Sequence, residues 1–216
     1  MSLRLAVFDC DGTLVDGQAA VCTAMDAAFA AHGLSRPDHH LVRRSVGLSL
    51  PQAVRALLPD ADEDLRQGID LAYRQAFRAA REAGQLVEPL YAGVRELLDA
   101  MLDQGWLLGV ATGKSDRGLE HCLATHGLSR HFVTLQTADR HPSKPHPAML
   151  EAALFEAGAL PGDAVMIGDT AYDMMMAVNG RVRALGVDWG YHTPAELLEA
   201  GAESVAQTPL HLLELL

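Results

Sequence analysis

Apolar side chains at Val94, Leu97, Leu98, Met101 and Leu102 follow Leu90 at spacings of three and four. They form the stripe of a helix packed on one face, and Gly105 ends it. The next segment, "WLLGVAT" over 106–112, is apolar on both faces, as a central parallel strand covered by helices on either side must be. The same grammar repeats downstream. "GLEHCLATHG" carries Leu119, Cys122 and Leu123 with a stop at Gly127, and "PAMLEAALFEAG" carries Met149, Leu150, Ala153 and Leu154 with a stop at Gly158. "DAVMIGD", 163–169, reads as another buried strand ending in an acid. A helix over 173–178 and a strand over 182–187 follow it. "TPAE", 193–196, is a capping box with proline at the first helical position, and Gly201 closes that helix.

Strands alternating with helices through short connections predict an α/β fold, a doubly wound Rossmann-like parallel sheet whose ligands bind beyond the carboxyl ends of its strands. Residues 17–84 break the alternation with helix patterns alone. Val21, Met25, Ala28 and Phe29 line one helix ending at Gly33, while Ile69, Tyr73, Ala76, Phe77 and Ala80 line another ending near Gly84. The pattern therefore predicts a catalytic core formed by residues 1–16 and 85–216, with a small all-helical cap over 17–84 inserted after the first strand. No internal repeat is present.

Composition narrows the function. The 216 residues are 49% hydrophobic and 21% charged, ordinary globular usage. A formal charge of −11 opposes a polyanionic partner, and the arginines are scattered without aromatic interleaving, so no nucleic acid is expected. No apolar run is long enough to span a bilayer, and the amino-terminal stretch lacks the regions of a signal peptide. The expectation is a cytoplasmic protein without a membrane partner. Three cysteines, Cys10, Cys22 and Cys122, lack metal-ligand spacing and fit reduced thiols. The ten histidines form no pair at zinc-ligand spacing on a predicted helix.

The polar chemistry sits where strands end. In "AVFDCDGTLVD", 6–16, side-chain alternation turns Asp9 and Asp11 the same way and Cys10 the other. Two converging carboxylates are costly unless a cation neutralises them. Asp169, at the end of another apolar strand, supplies a third oxygen ligand, and Asp173 lies one helical turn beyond it. An all-oxygen set points to magnesium. Gly12 permits a tight turn, and Thr13 adds a hydroxyl and an amide, so the pair forms part of a candidate anion cradle. Thr112, before Gly113 and a helix start, offers a second hydroxyl where helix amides attract phosphate. Only two of the seventeen Lys and Arg residues are lysines. Of these, Lys144 stands in "PSKPHP", where prolines stiffen the backbone around it. "GVATGKS", 109–115, has three residues between its glycines where a P-loop needs four, so Lys114 is expected to be exposed in a first helical turn.

In these segments the chain resembles the haloacid dehalogenase superfamily, specifically its phosphoglycolate phosphatase-like members with a helical cap. The matching stretches are "FDCDGTLVD", Thr112 in "VATGK", Lys144 in "SKPHP" and "IGDTAYD", in the family's order and over nearly the whole chain. The resemblance implies that Asp9 attacks phosphorus to form an aspartyl phosphate, and that Asp11 protonates the leaving oxygen and then activates water. It implies Thr112 and Lys144 on the phosphoryl oxygens. Magnesium would be held by Asp9, the Asp11 carbonyl and Asp169, with Asp173 assisting through water or by orienting Lys144. It further implies a small phosphorylated metabolite as substrate, 2-phosphoglycolate by default, with a sugar phosphate, nucleotide or pyrophosphate as alternatives, and a monomer or homodimer. Arg43 or Arg44, in "RRSVGLSL", would bind a substrate carboxylate in a bidentate fork.

The family's other chemistries fit less well. No lysine occurs in 17–84 for a Schiff base. Gln18 to Ala31 lacks the cationic or imidazole group of the phosphomutases, and dehalogenases lack an acid at the position of Asp11. A silent protein that binds phosphate compounds to regulate a partner is the reading from a different class. "DGQ" after the first motif and Asn179 in "VNGRVR" depart from the family pattern without touching the proposed chemistry.

Overall fold

A computed structural model describes residues 3–216. After β1 (Arg4–Phe8) come four helices, α1 (Gln18–Ala31), α2 (His39–Arg44), α3 (Leu50–Leu57) and α4 (Glu63–Glu82). The chain continues through α5 (Val94–Asp103), β2 (Trp106–Thr112), α6 (Asp116–Thr125), β3 (Thr134–Thr137), α7 (Ala148–Ala157) and β4 (Ala164–Gly168). It ends with α8 (Ala171–Asn179), β5 (Arg183–Val187), α9 (Pro194–Glu199), β6 (Ser204–Ala206) and α10 (Pro209–Leu215). The six strands form one sheet in the order β3-β2-β1-β4-β5-β6, every pairing parallel. The structure is thus the Rossmann-like α/β sheet that the apolar pattern predicts.

Burial on both faces explains the apolar strands. Leu5 and Val7 point into a core with Met149, Leu150 and Met174 from α7 and α8. Ala6, Phe8 and Cys10 point into the opposite core with Leu97, Met101, Leu119 and Cys122 from α5 and α6. Residues this enclosed make truncation expensive, and Phe8→Ala carries the cost of about 3–5 kcal/mol usual for an aromatic core deletion. The three cysteines are free and buried, and Cys10 Sγ lies 3.8 Å from Cys122 Sγ. Met174 and Met176 are buried, and Met175 between them is half-buried.

Helices α1 to α4 share a separate apolar cluster built on Met25, Phe29, Val42, Val54 and Ile69. Among the described residues no helix is long and apolar enough to cross a membrane. The helix expected from Leu90 begins only at Val94, because Leu90 bridges to Val15 and Gly93 takes the left-handed φ of 86° before it. Strands β3 and β6 and helix α10 escape the apolar pattern, since β3 is "TLQT" and β6 has three residues.

Candidate active site

Asp9 follows the last residue of β1, the central strand, and its amide donates to the Ile167 carbonyl of β4 at 2.9 Å. The chain then turns tightly, with the amides of Leu14 and Val15 both donating to the Cys10 carbonyl at 2.9 and 3.0 Å. Gly12 adopts φ 85°, and a Cβ there would stand 2.1 Å from Asp169 Oδ2. Glycine is therefore required twice, for its φ and for the close approach of the loop to β4. Asp169, just past β4, is gripped on both oxygens: Thr13 Oγ1 donates to Oδ1 at 2.8 Å and the Tyr191 amide donates to Oδ2 at 3.0 Å.

Lys144 reaches into this group, fully buried, with Nζ 2.9 Å from Asp9 Oδ1 and 2.6 Å from Asp173 Oδ1. Asp173 Oδ2 accepts from the Thr170 amide and hydroxyl at 3.0 and 2.7 Å, closing the capping box of α8. Both Asp173 oxygens are thus engaged, one with Lys144 and one with Thr170.

Asp9, Asp169 and Asp173 each offer an oxygen within 4.8 Å of the others, all buried. One ammonium faces three carboxylates there, and Asp9 Oδ2 is buried without a hydrogen-bond partner. Burial pushes the Asp9 carboxyl up to about 7, against the opposing pull of Lys144. Burial and the neighbouring Asp173 and Asp9 hold Asp169 well above the usual carboxylate range. Burial tends to discharge Lys144, but Asp173 and Asp9 outweigh it and keep the amine firmly protonated. An excess of buried, oxygen-only negative charge with one unused carboxylate oxygen fits a hard divalent cation.

Above these residues lies a cavity of about 280 Å³ between the sheet edge and the helical insert, lined at its base by Asp9, Asp11, Thr112 and Gly113. Thr112 Oγ1 accepts from the Lys114 amide at 3.2 Å. The insert's loop presses on this base: a Cβ on Gly113 would stand 2.4 Å from the Leu48 carbonyl oxygen, and the Ser49 amide donates to Ser143 Oγ at 2.8 Å. The cavity's other wall carries Tyr73, Arg74, Phe77, Arg78 and Arg81 from α4. Tyr73 and Phe77 stack with ring centroids 5.5 Å apart, and Arg81 Nε is buried without a hydrogen-bond partner.

One expectation needs correction. Lys114 is not an exposed helical residue: it precedes α6, its side chain is 8% exposed, and its ammonium lies 3.0 Å from Asp11 and 2.6 Å from Glu88. Gly12 and Thr13 do not line the cavity, because the glycine packs on Asp169 and the threonine hydroxyl is spent on it. Arg43 and Arg44 also stand outside the lining, and Arg44 makes a two-pronged pair with Glu196 of α9, at 2.8 and 2.6 Å. Sequence reading missed Glu88 and the α4 arginines. The arginines follow Tyr73 and Phe77 at helical spacing, and that stripe was the available signal.

The family described as Haloacid dehalogenase-like hydrolase matches residues 6–187. "Probable phosphatase IndB" of Dickeya dadantii is 33% identical over 206 residues, which cover 94% of this chain and 89% of that protein. A phosphoglycolate phosphatase of Vibrio parahaemolyticus is 26% identical, covering 98% of this chain and 95% of its own. The crystal structure of "a predicted phosphatase from Clostridium acetobutylicum" superposes with a TM-score of 0.88 at 25% identity, covering 100% of this chain and 99% of that one. With its parallel sheet and its acids at the strand ends, the chain belongs to the haloacid dehalogenase-like hydrolase family.

Proposed function

We infer that the protein is a magnesium-dependent phosphatase that hydrolyses a small phosphorylated metabolite through an aspartyl phosphate on Asp9. The observation that carries this reading is the state of Asp9. It lines the cavity, keeps one buried oxygen free of hydrogen bonds, and has the Lys144 ammonium at 2.9 Å from the other. A carboxylate so placed is a nucleophile with an electrophile's charge already provided for.

Asp9 attacks phosphorus as the ester oxygen leaves, and Asp11, two residues on in the same cavity base, gives that oxygen its proton. Asp11, now a carboxylate, takes a proton from water as the water attacks the acyl phosphate, which releases phosphate and restores Asp9. Thr112 and Lys144 hold the phosphoryl oxygens, and Asp173 orients Lys144. Asp9, Asp169 and the Asp11 carbonyl are the groups that would hold Mg²⁺, which when bound offsets the charge of the phosphoryl group.

The leaving group occupies the cavity under α4. Arg74 and Arg78 of that helix pair with Asp70 and Glu82, and the remaining arginines of the lining, Arg81 and Arg117 of α6, favour a leaving group that is itself anionic. The Vibrio relative and similar proteins from Photobacterium profundum and Agrobacterium fabrum are phosphoglycolate phosphatases, which supports a carboxylate-bearing ester such as 2-phosphoglycolate. The test is phosphate release across a panel of phosphoglycolate, sugar phosphates, nucleotides and pyrophosphate, with Mg²⁺ and with chelator. Turnover that needs the cation and prefers an anionic leaving group is expected. Ligand-induced stabilisation without turnover would indicate a binding protein instead.

A further inference from the structure

Beside Asp11 lies an ion-pair chain that this reaction, as described, does not use. Lys114 Nζ is 2.6 Å from Glu88 Oε1 and 3.0 Å from Asp11 Oδ1, and the lysine, glutamate and aspartate side chains are 8%, 6% and 12% exposed. Lysine is almost never this enclosed unless paired, and here the acids stand on two sides while the Phe77 ring lies 5.8 Å from the ammonium. Asp11 Oδ1 is buried with no hydrogen bond of good angle, so the ammonium is what fixes it.

Both connections to the helical insert meet at this chain. Glu88 stands on the return segment between α4 and α5, where His126 Nε2 donates to the Glu88 carbonyl oxygen at 2.8 Å. Gly17, on the outgoing segment, approaches so closely that a Cβ there would be 2.6 Å from Asp11 Oδ1 and 3.4 Å from Glu88 Oε1. A displacement of either segment moves Glu88 or the space around Asp11. The lysine cannot then keep both contacts.

We propose that Lys114 and Glu88 are positioning residues that aim the Asp11 carboxyl at the leaving oxygen, so that proton donation is in register only while the insert's return segment is seated. This rests on the phosphatase reading above and on Asp11 as its proton donor. The competing role for Lys114, which also lines the cavity, is direct contact with the phosphoryl group.

Two phosphate monoesters separate these roles. An alkyl phosphate needs a proton on its departing oxygen, whereas para-nitrophenyl phosphate releases a stable anion. The measured quantity is kcat/KM, which reads only the steps through leaving-group release. Lys114→Met is expected to lower it by roughly 10²-fold or more on the alkyl ester, the scale of general-acid catalysis, and far less on the aryl ester. Glu88→Gln should shift the ratio in the same direction by a smaller factor. In an Asp11→Asn background, Lys114→Met should cost nothing further, because the two residues act as one unit. Equal losses on both esters, or additive losses in the double variant, would overturn the proposal and assign Lys114 to the phosphoryl group. If Lys114→Met does not fold, an unchanged ester ratio in Glu88→Gln overturns it alone. Failure of the wild-type chain to release phosphate from either ester contradicts the phosphatase reading itself, and the two failures are told apart.

Discussion

Lys144 Nζ lies 2.9 Å from Asp9 Oδ1, and neither side chain reaches solvent. The pair gives the lysine a structural task, because Asp9 and Asp173 lose their one ammonium partner among the described residues if it is removed. Lys144→Met should destabilise the metal-free protein by about 3–5 kcal/mol, the usual cost of leaving a buried charge unpaired. Phosphate release should fall at the same time. Thermal denaturation with and without Mg²⁺ checks this, since the cation is expected to restore part of the loss. A variant as stable as wild type without metal would show that the contact carries little.

Stability of the metal-free protein has a defined dependence on pH through Asp9. Burial raises its carboxyl to about 7 from the unfolded value of 3.8. Between those values the folded state binds the extra proton, so this group's contribution falls as pH rises through the window, by at most about 1.4 kcal/mol per unit. Burial holds the His192 and His141 imidazoles below their ordinary value, which acts in the opposite sense below 6.5. Glu196, held down to about 2 first of all by its hydrogen bond from Arg44, acts only below 4.5. Comparing wild type with Asp9→Asn cancels these remote groups, while Asp11 and Asp169, also raised by burial, act in the same sense as Asp9. The wild-type unfolding free energy should fall relative to the variant from pH 4 to 7, on the same scale of about 1.4 kcal/mol per unit. A parallel pair of curves would contradict it.

Arg44 is engaged with Glu196 and does not line the cavity. Its pair with Glu196 joins α2 to α9, and both side chains are about a third exposed, at 33% and 35%. Arg44→Ala should cost about 0.2–1 kcal/mol in stability, as partly exposed pairs do, and leave KM within about tenfold, a change of 1.4 kcal/mol in binding. A far larger rise in KM with kcat retained would instead place Arg44 on the substrate.

The acids were legible because strand alternation and a glycine stop fix where a side chain points. Asp9, Asp11, Thr112 and Asp169 could be read from local pattern alone, and so could the strand over 106–112. Lys114 could not, because its burial depends on Glu88, 26 residues away in the chain, and a lysine before a helix ordinarily lies in water. The partner of the Thr13 hydroxyl is hidden for a related reason: Asp169 is 156 residues distant. The Arg44 pair is hidden on the same ground, since Glu196 is placed by the packing of α9 and by no feature of the segment around 44. Strands β3 and β6 are defined by pairing with β2 and β5, and their own residues carry little apolar signal.

In the proposed reaction Asp9 itself takes the phosphoryl group. The direct measurement is a rapid acid quench during turnover of para-nitrophenyl phosphate with Mg²⁺, followed by peptide mass analysis, for wild type and Asp9→Asn. One phosphoryl group on the peptide bearing Asp9 in wild type, with none and no phosphate release in the variant, is the predicted result. Full turnover by Asp9→Asn would contradict the account.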